Sequence, residues 1–253
     1  MEQLEKEKTM HKFMNVKNQT ETTADLYFYG DIVNDSWLSE WYPDDMCPAD
    51  VKEVLDEVQG KDLNIYVNSG GGSVFGGMAI YNMLKRHAGK KTVYVDGLAG
   101  SIASVIALAG DEIIIPATAY MMIHKPWSGV SGNADDMRKM ADDLDRIQEG
   151  ILNVYKENLR EDIDIKTIEE MVNAETWLTG EEAAKYFNVK TVETEVLNYS
   201  TFDKNNYKNV PKNLLDNSNN LEETTKNISN DVQALTDEEE KEIIDLLIME
   251  ACR

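Results

Sequence analysis

The order of apolar segments between residues 26 and 123 constrains the fold of this chain more than any other feature. Runs of β-favouring residues alternate there with segments whose apolar residues recur at helical spacing. Such alternation with short connections is typical of an α/β domain with a largely parallel sheet and right-handed crossovers. The predicted strands are 26–29, 63–67, 92–95, 113–115 and 120–123, and the predicted helices are 50–58, 74–86 and 101–109.

The longest predicted helix, residues 133–159, follows this alternating region. Its apolar residues step by three and four along one face, whereas its other faces are densely charged. That stripe predicts either a helix lying on its own sheet or, as we favour, a helix that projects and packs against a partner subunit. Two short helices at 167–172 and 180–186 and a last strand at 189–196 complete the predicted domain. The stripe consists of Met137, Met140, Leu144, Ile147, Ile151 and Val154.

Both ends of the chain differ in composition from the α/β region. Residues 1–24 are polar and predict a flexible N-terminal arm, because chain termini are seldom held in place. Residues 197–231 are rich in Asn, Lys, Ser and Thr and predict a linker. The acidic segment 234–252 predicts an amphipathic helix capped by Thr236. The expected organisation is an arm (1–24), an α/β domain (25–196) and a C-terminal tail (197–253).

The charge of the chain argues against several classes of partner. With 25 Lys and Arg against 47 Asp and Glu, the net charge is −22. We expect neither a nucleic-acid nor an anionic-membrane partner, because both attract clustered Lys and Arg. No apolar run approaches the roughly 20 residues that span a bilayer, and the charged N-terminus lacks the apolar stretch of a signal peptide. With only Cys47 and Cys252, no disulfide framework is expected either, and we predict a soluble cytoplasmic protein.

The first segment that could carry chemistry is NSGGGSVFGG at residues 68–77. Three glycines between a strand and a helix expose backbone N–H groups, which suit an anion or an oxyanion. The phosphate-binding loop G-x-x-x-x-G-K-[ST] is excluded, because the segment contains no Lys. On its own, the segment is explained equally well as a tight turn.

Two further segments place a serine and a histidine at the ends of predicted strands. In GLAGSIASVIALAGD (97–111), Ser101 lies at a strand–helix junction, where it is either a nucleophile or an N-cap. The G-x-S-x-G elbow does not fit, because Ala99 and Ala103 replace its glycines. In MMIHKPWSG (121–129), His124 ends an apolar strand. No spacing of His, Cys and carboxylates resembles a metal site, so we expect no metal and no cofactor.

Taken together, these three segments resemble the Clp protease proteolytic subunit family over roughly residues 25–195. The resemblance implies the Clp protease/crotonase-like α/β fold of ββα units, with a projecting long helix. The Trp after His-Lys-Pro and the segment AETWLTGEEAAKYF look most like the phage branch, the Clp-related head maturation (prohead) proteases. The acyl-coenzyme A enzymes of the crotonase group share the fold but need no Ser-His pair.

The resemblance assigns roles to five residues by motif position. It implies Ser101 as the nucleophile, His124 as the general base, and the backbone N–H groups of Gly71 and Ile102 as the oxyanion hole. The third triad member is Glu175, at a position where the family usually has Asp, and Asn173 is the alternative orienting group. Gly70 also departs from the family, which usually has Pro there. 

The implied function is that of a serine endopeptidase acting on protein or peptide substrates inside a homo-oligomer, with heptameric rings expected. The phage-type details point to capsid or scaffold proteins as substrates, in the bacterial host cytoplasm if the chain is phage-encoded. The alternatives are general protein degradation with an ATPase unfoldase partner and a ring component that has lost activity.

Overall fold

One mixed β-sheet organises the part of the chain that the computed structural model describes, residues 16–34, 45–192 and 207–211. Its strand order is β1-β2-β3-β4-β6-β7, and β5 pairs with β4 beside this path. The pairs among β2, β3, β4, β5 and β6 are parallel, whereas β1 and β7 pair antiparallel at the two edges. The strands are β1 (Val16–Lys17), β2 (Thr23–Phe28), β3 (Asp62–Ser69), β4 (Lys91–Gly100), β5 (Glu112–Ile114), β6 (Tyr120–Ile123) and β7 (Thr176–Thr179).

Six helices accompany this sheet within the same described ranges. Polar caps define several of their starts: the Ser73 side chain accepts the N–H of Gly76, and Asn133 forms a reciprocal capping box with Asp136. The mostly parallel sheet and its helices confirm the predicted α/β class. The helices are α1 (Pro48–Glu57), α2 (Val74–Arg86), α3 (Ile102–Ala107), α4 (Ala134–Glu157), α5 (Ile165–Asn173) and α6 (Gly180–Tyr186).

The core lies around the short helix α3, all six residues of which are buried. Each buried isoleucine of such a core contributes about 1.5–3 kcal/mol through removal of apolar surface from water. Helix α2 approaches α3 closely at Gly77, where a Cβ atom would overlap Cγ1 of Ile102. The small residues of both helices therefore allow the start of α3 to lie deep in the domain.

Helix α4 divides into two halves with different surroundings. Its C-terminal half is buried at Ile151, Val154 and Tyr155, which pack into the core. In contrast, residues 134–139 are all exposed, and the side chain of Met137 is 53% exposed. The apolar stripe thus covers its own domain at one end and leaves an apolar residue uncovered at the other.

The structure differs from the predicted elements mainly at the edges. Strand β7 was not predicted, and strand β1 takes residues from the segment expected to be a free arm. Of the predicted strand 189–196, Lys190 forms a single bridge with Ile114, and residues 193–196 lie outside the described residues. The predicted helix 234–252 also lies outside them.

The chain separates into two compact units, Met1–Asn209 and Val210–Arg253. The first contains the sheet, all six helices and residues 207–209. Of the second, only residues 210 and 211 are described. No helix in the described ranges is both long enough and apolar enough to cross a membrane.

Candidate active site

Strand β4 changes partners along its length, and this brings Ser101 beside His124. Its residues 92–94 pair with β5, whereas residues 98–100 pair with β6. Gly100 is in register with Met122, and the N–H of Ser101 donates to the Met122 carbonyl at 2.8 Å. The residues that follow the two parallel strands therefore meet at one edge of the sheet.

The side chains of Ser101 and His124 form a hydrogen bond, with 2.7 Å between Oγ and Nε2. Ser101 occupies the N-cap position of α3, but its side chain makes no capping hydrogen bond. Its backbone has φ +51°, a left-handed conformation that costs a non-glycine residue about 1–3 kcal/mol. The sequence left open a nucleophile or an N-cap, and the side-chain contact supports the nucleophile.

Buried groups hold the strained backbone of Ser101 in place. The Ser104 hydroxyl donates to the Ser101 carbonyl at 2.6 Å, and the Ser104 N–H donates to it at 3.0 Å. Ser104 Oγ also lies 2.8 Å from the hydroxyl of the buried Tyr155. These contacts offset part of the strain and connect the nucleophile segment to helix α4. The sequence motifs did not single out Ser104. Its contact with the Ser101 carbonyl is seen only in the structure, where Ser104 lies in the first turn of α3.

The protonation state of His124 suits a general base. Burial lowers the pKa of its imidazole below the ordinary value of 6.5, and the nearby carboxylate of Glu175 partly opposes that change. The imidazole is therefore predominantly neutral at pH 7, with Nε2 able to accept the Ser101 proton.

Glu175 lies next to His124 because β7 pairs with β6. Ile123 is in register with Thr176, so the residues flanking this pair, His124 and Glu175, are brought to the same place. Glu175 has φ +52°, and its Oε1 accepts the N–H groups of Lys208 at 2.6 Å and Asn209 at 2.7 Å. The structure thus places Glu175 within electrostatic range of the imidazole, while its hydrogen bonds go elsewhere.

The alternative orienting residue, Asn173, ends helix α5 and is exposed. Glu175 is half-buried, and its charge acts on His124. The geometry therefore favours Glu175 over Asn173 as the third polar group of the site.

The glycine loop packs directly against Ser101. A Cβ atom on Gly71 would lie 2.7 Å from Ser101 Cβ and 3.1 Å from the backbone N of Ile102. Ile102 is the first residue of α3, so its N–H lies outside the helical hydrogen-bond ladder. The N–H of Gly71 donates to Ser69 Oγ at 3.1 Å. The glycine loop at Gly71 therefore lies against Ser101 and the backbone N of Ile102, and the N–H of Gly71 is engaged by Ser69.

A cleft of about 300 Å³ opens above these groups. The side chain of Trp127 is 69% exposed at its edge. Tyr207 also lines the cleft, although nothing in the sequence pattern indicated that this polar segment reaches the site. Among the described residues, no three His, Cys, Asp or Glu side chains cluster as metal ligands would. The lining residues are Asp31, Gly70, Gly71, Gly72, Ser73, Val74, Ser101, His124, Pro126, Trp127 and Tyr207.

A serine bonded to a neutral histidine, close to the backbone N–H at the start of a helix, defines the class of nucleophilic serine sites. Residues 53–195, more than half of the chain, match the model of the family described as Clp protease. The chain belongs to the Clp protease family, which confirms the resemblance at family level and disfavours the crotonase group.

Several curated relatives are named as Clp proteolytic subunits. The ATP-dependent Clp protease proteolytic subunit of Bacteroides thetaiotaomicron is 31% identical over 135 residues, covering 52% of this chain and 60% of the relative. Proteolytic subunit 2 of Thermobifida fusca is 31% identical over 156 residues, covering 59% and 75%. Proteolytic subunit 1 of Salinibacter ruber is 27% identical over 173 residues, covering 67% and 70%. The match to the Bacteroides thetaiotaomicron subunit thus spans about three fifths of its length.

Proposed function

We propose that this protein is a serine endopeptidase with Ser101 as its nucleophile. The observation that carries the proposal is the 2.7 Å hydrogen bond between Ser101 Oγ and His124 Nε2, with the serine held at positive φ. His124 takes the Oγ proton as Oγ attacks a peptide carbonyl, and returns it to the leaving amine. Water then hydrolyses the acyl-enzyme with the same histidine as base.

The backbone N–H groups of Gly71 and Ile102 are proposed to receive the developing oxyanion. Ile102 is at the start of α3 with its N–H outside the helical ladder, which supports its role. Gly71 has to exchange its bond to Ser69 Oγ for one to the substrate oxygen. The carboxylate of Glu175 is proposed to orient the imidazole and to stabilise its charged form.

We also propose that the subunits assemble into rings, heptameric by resemblance to the family. The N-terminal part of α4, residues 134–139, is exposed and includes Met137, so this surface is available for such a contact. The names of the relatives describe ATP-dependent proteolytic subunits. The cytoplasm is the proposed location.

Two substrate classes follow from different observations. The phage-like segments around Trp127 and Trp177 favour capsid or scaffold proteins processed during head maturation. The relatives named as ATP-dependent proteolytic subunits favour general degradation with an unfoldase. Incubation of the purified protein with a folded capsid protein distinguishes the two, since maturation predicts discrete products without ATP and degradation predicts none.

The proposed activity is tested by a pair of serine variants. Ser101→Ala should abolish both peptide hydrolysis and labelling by a fluorophosphonate probe, with a loss of about 10⁶-fold in turnover. Ser131→Ala is the matched control, because Ser131 is exposed and lies outside the cleft lining. Labelling of the Ser101→Ala variant at the wild-type rate would show that another group is the nucleophile.

A further inference from the structure

Tyr207 follows the predicted α/β domain (25–196) in sequence and lines the proposed active-site cleft. The hydroxyl of Tyr207 donates to the carbonyl of Gly70 at 2.6 Å. Its ring centre lies 5.7 Å from that of His124 and 5.6 Å from that of Trp177, edge-on to the indole. Tyr207 thus touches the glycine loop, the proposed base and strand β7 at once, and it lines the cleft together with Ser101.

The next two residues bond to the segment that joins α5 to β7. The backbone N–H groups of Lys208 and Asn209 both donate to Oε1 of Glu175, at 2.6 and 2.7 Å. The side-chain amide of Asn209 donates to the carbonyl of Ala174 at 2.8 Å. Hydrogen bonds to a carboxylate are stronger than hydrogen bonds to a neutral acceptor, because the carboxylate is charged. Residues 207–209 are therefore held by two ring contacts and by several hydrogen bonds.

These contacts have two consequences for the proposed chemistry. The Tyr207 side chain forms part of the wall of the cleft that Ser101 and His124 also line, and its ring lies beside the imidazole. The two backbone donors also engage Oε1 of Glu175, and among the described residues no hydrogen bond joins this carboxylate to the imidazole. Within the part of the chain that the structure describes, the imidazole of His124 makes one hydrogen bond, and its partner is Oγ of Ser101.

We propose that residues 207–209 form an intramolecular inhibitor that occupies the cleft and holds Glu175 away from its orienting role. This inference rests on the proposed peptidase function. The occupant has the chemistry of a peptide: an aromatic side chain followed by two consecutive backbone N–H groups. A substrate, or a protein partner that draws this segment out, has to displace it before the site is complete.

Two substitutions in the full-length protein test the inhibitor. Tyr207→Ala removes the ring and the bond to Gly70, and Lys208→Pro removes one donor to Glu175. Each should raise kcat/KM for a small fluorogenic peptide by about tenfold. This factor corresponds to a wild-type cleft that is open in about one tenth of the molecules, because the apparent affinity for a substrate falls in proportion to the open fraction. Lys208→Ala keeps the backbone donor and should keep the wild-type rate. Equal rates for wild type, Tyr207→Ala and Lys208→Pro would overturn the proposal.

A binding measurement separates this inference from the peptidase function. A labelled peptide NNYKNVP, which copies residues 205–211, is titrated by fluorescence anisotropy into Ser101→Ala and into Ser101→Ala with Tyr207→Ala. The double variant should bind it about tenfold more tightly than the single variant, and NNAKNVP should bind weakly to both. Equal affinities would overturn the inhibitor. The double variant could bind the peptide more tightly while every chain that retains Ser101 shows neither hydrolysis nor fluorophosphonate labelling. That result would support the inhibitor and reject the proposed peptidase function.

Discussion

Ser101 and His124 directly follow neighbouring parallel strands, whereas Gly71 and Glu175 belong to loop segments. We call the first two the strand-held pair and the second two the loop-held groups. The strand-held pair already makes the hydrogen bond that the proposed mechanism requires. The loop-held groups make bonds to Ser69, Lys208 and Asn209 instead. Sheet register thus fixes the reacting side chains, while the groups that orient and stabilise them keep alternative partners.

The largest expected effect comes from breaking the strand-held pair at the histidine. His124→Ala should lower turnover by about 10⁶-fold, as removal of either reacting member of a serine triad does. His87→Ala removes a histidine whose Nε2 lies 2.7 Å from the Lys61 carbonyl, outside the cleft, and should leave turnover unchanged. The measurement is hydrolysis of a fluorogenic peptide. A loss below tenfold would mean that His124 is not the base.

A smaller loss is expected from the loop-held carboxylate. Glu175→Gln should lower kcat by about 10⁴-fold, because an amide cannot stabilise the imidazolium. Asn173→Ala serves as the control and should retain full activity, since Asn173 is exposed. If Asn173→Ala proves the more damaging of the two in a peptide-hydrolysis assay, the orienting role belongs to Asn173.

Gly71→Ala tests how closely the loop approaches the strand-held pair. The new methyl group would lie 2.7 Å from the Gly100 carbonyl oxygen and from Ser101 Cβ, and φ is +107°. We expect a loss of about 1–3 kcal/mol in unfolding free energy from backbone strain, together with lost hydrolysis. Gly60→Ala is the matched comparison, because φ there is +77° but no atom lies within 4 Å. Chemical denaturation should show the smaller loss for Gly60→Ala; equal losses would mean that the crowding at Gly71 has no cost.

The smallest effect concerns pH. A neutral His124 is needed as base, and its pKa lies below 6.5 because burial disfavours the charged imidazole. As pH falls, kcat/KM should therefore decline with a midpoint below 6.5. Glu175→Gln removes the charge that raises this pKa, so its midpoint should move lower still. A midpoint that stays in place in the variant would show that the carboxylate does not act on the imidazole.

The sequence placed Ser101 and His124 after predicted strands, and parallel strands of one sheet bring their carboxyl ends together. Their roles as nucleophile and base came from the resemblance to the Clp protease family. Glu175 rested on resemblance alone, since its position depends on the unpredicted strand β7. That strand contains only four residues, three of them half-buried, and has no clear alternation of burial.

Tyr207 could not be found from sequence at all. Its hydrogen bond to Gly70 joins residues 137 positions apart, and the surrounding segment is polar and reads as a linker. Sequence periodicity reports which face of an element is buried, but it carries no information on where an isolated aromatic residue binds.

The change of partners along β4, from β5 to β6, has a consequence for the order in which the site forms during synthesis. The pairing that places Ser101 beside His124 joins β4 to β6, and β7 must then add to β6 before Glu175 arrives. During synthesis, residues up to 179 have to leave the ribosome before all three groups can meet. A nascent chain therefore carries Ser101 for about 80 residues of elongation, several seconds at typical rates, before the proposed site is complete.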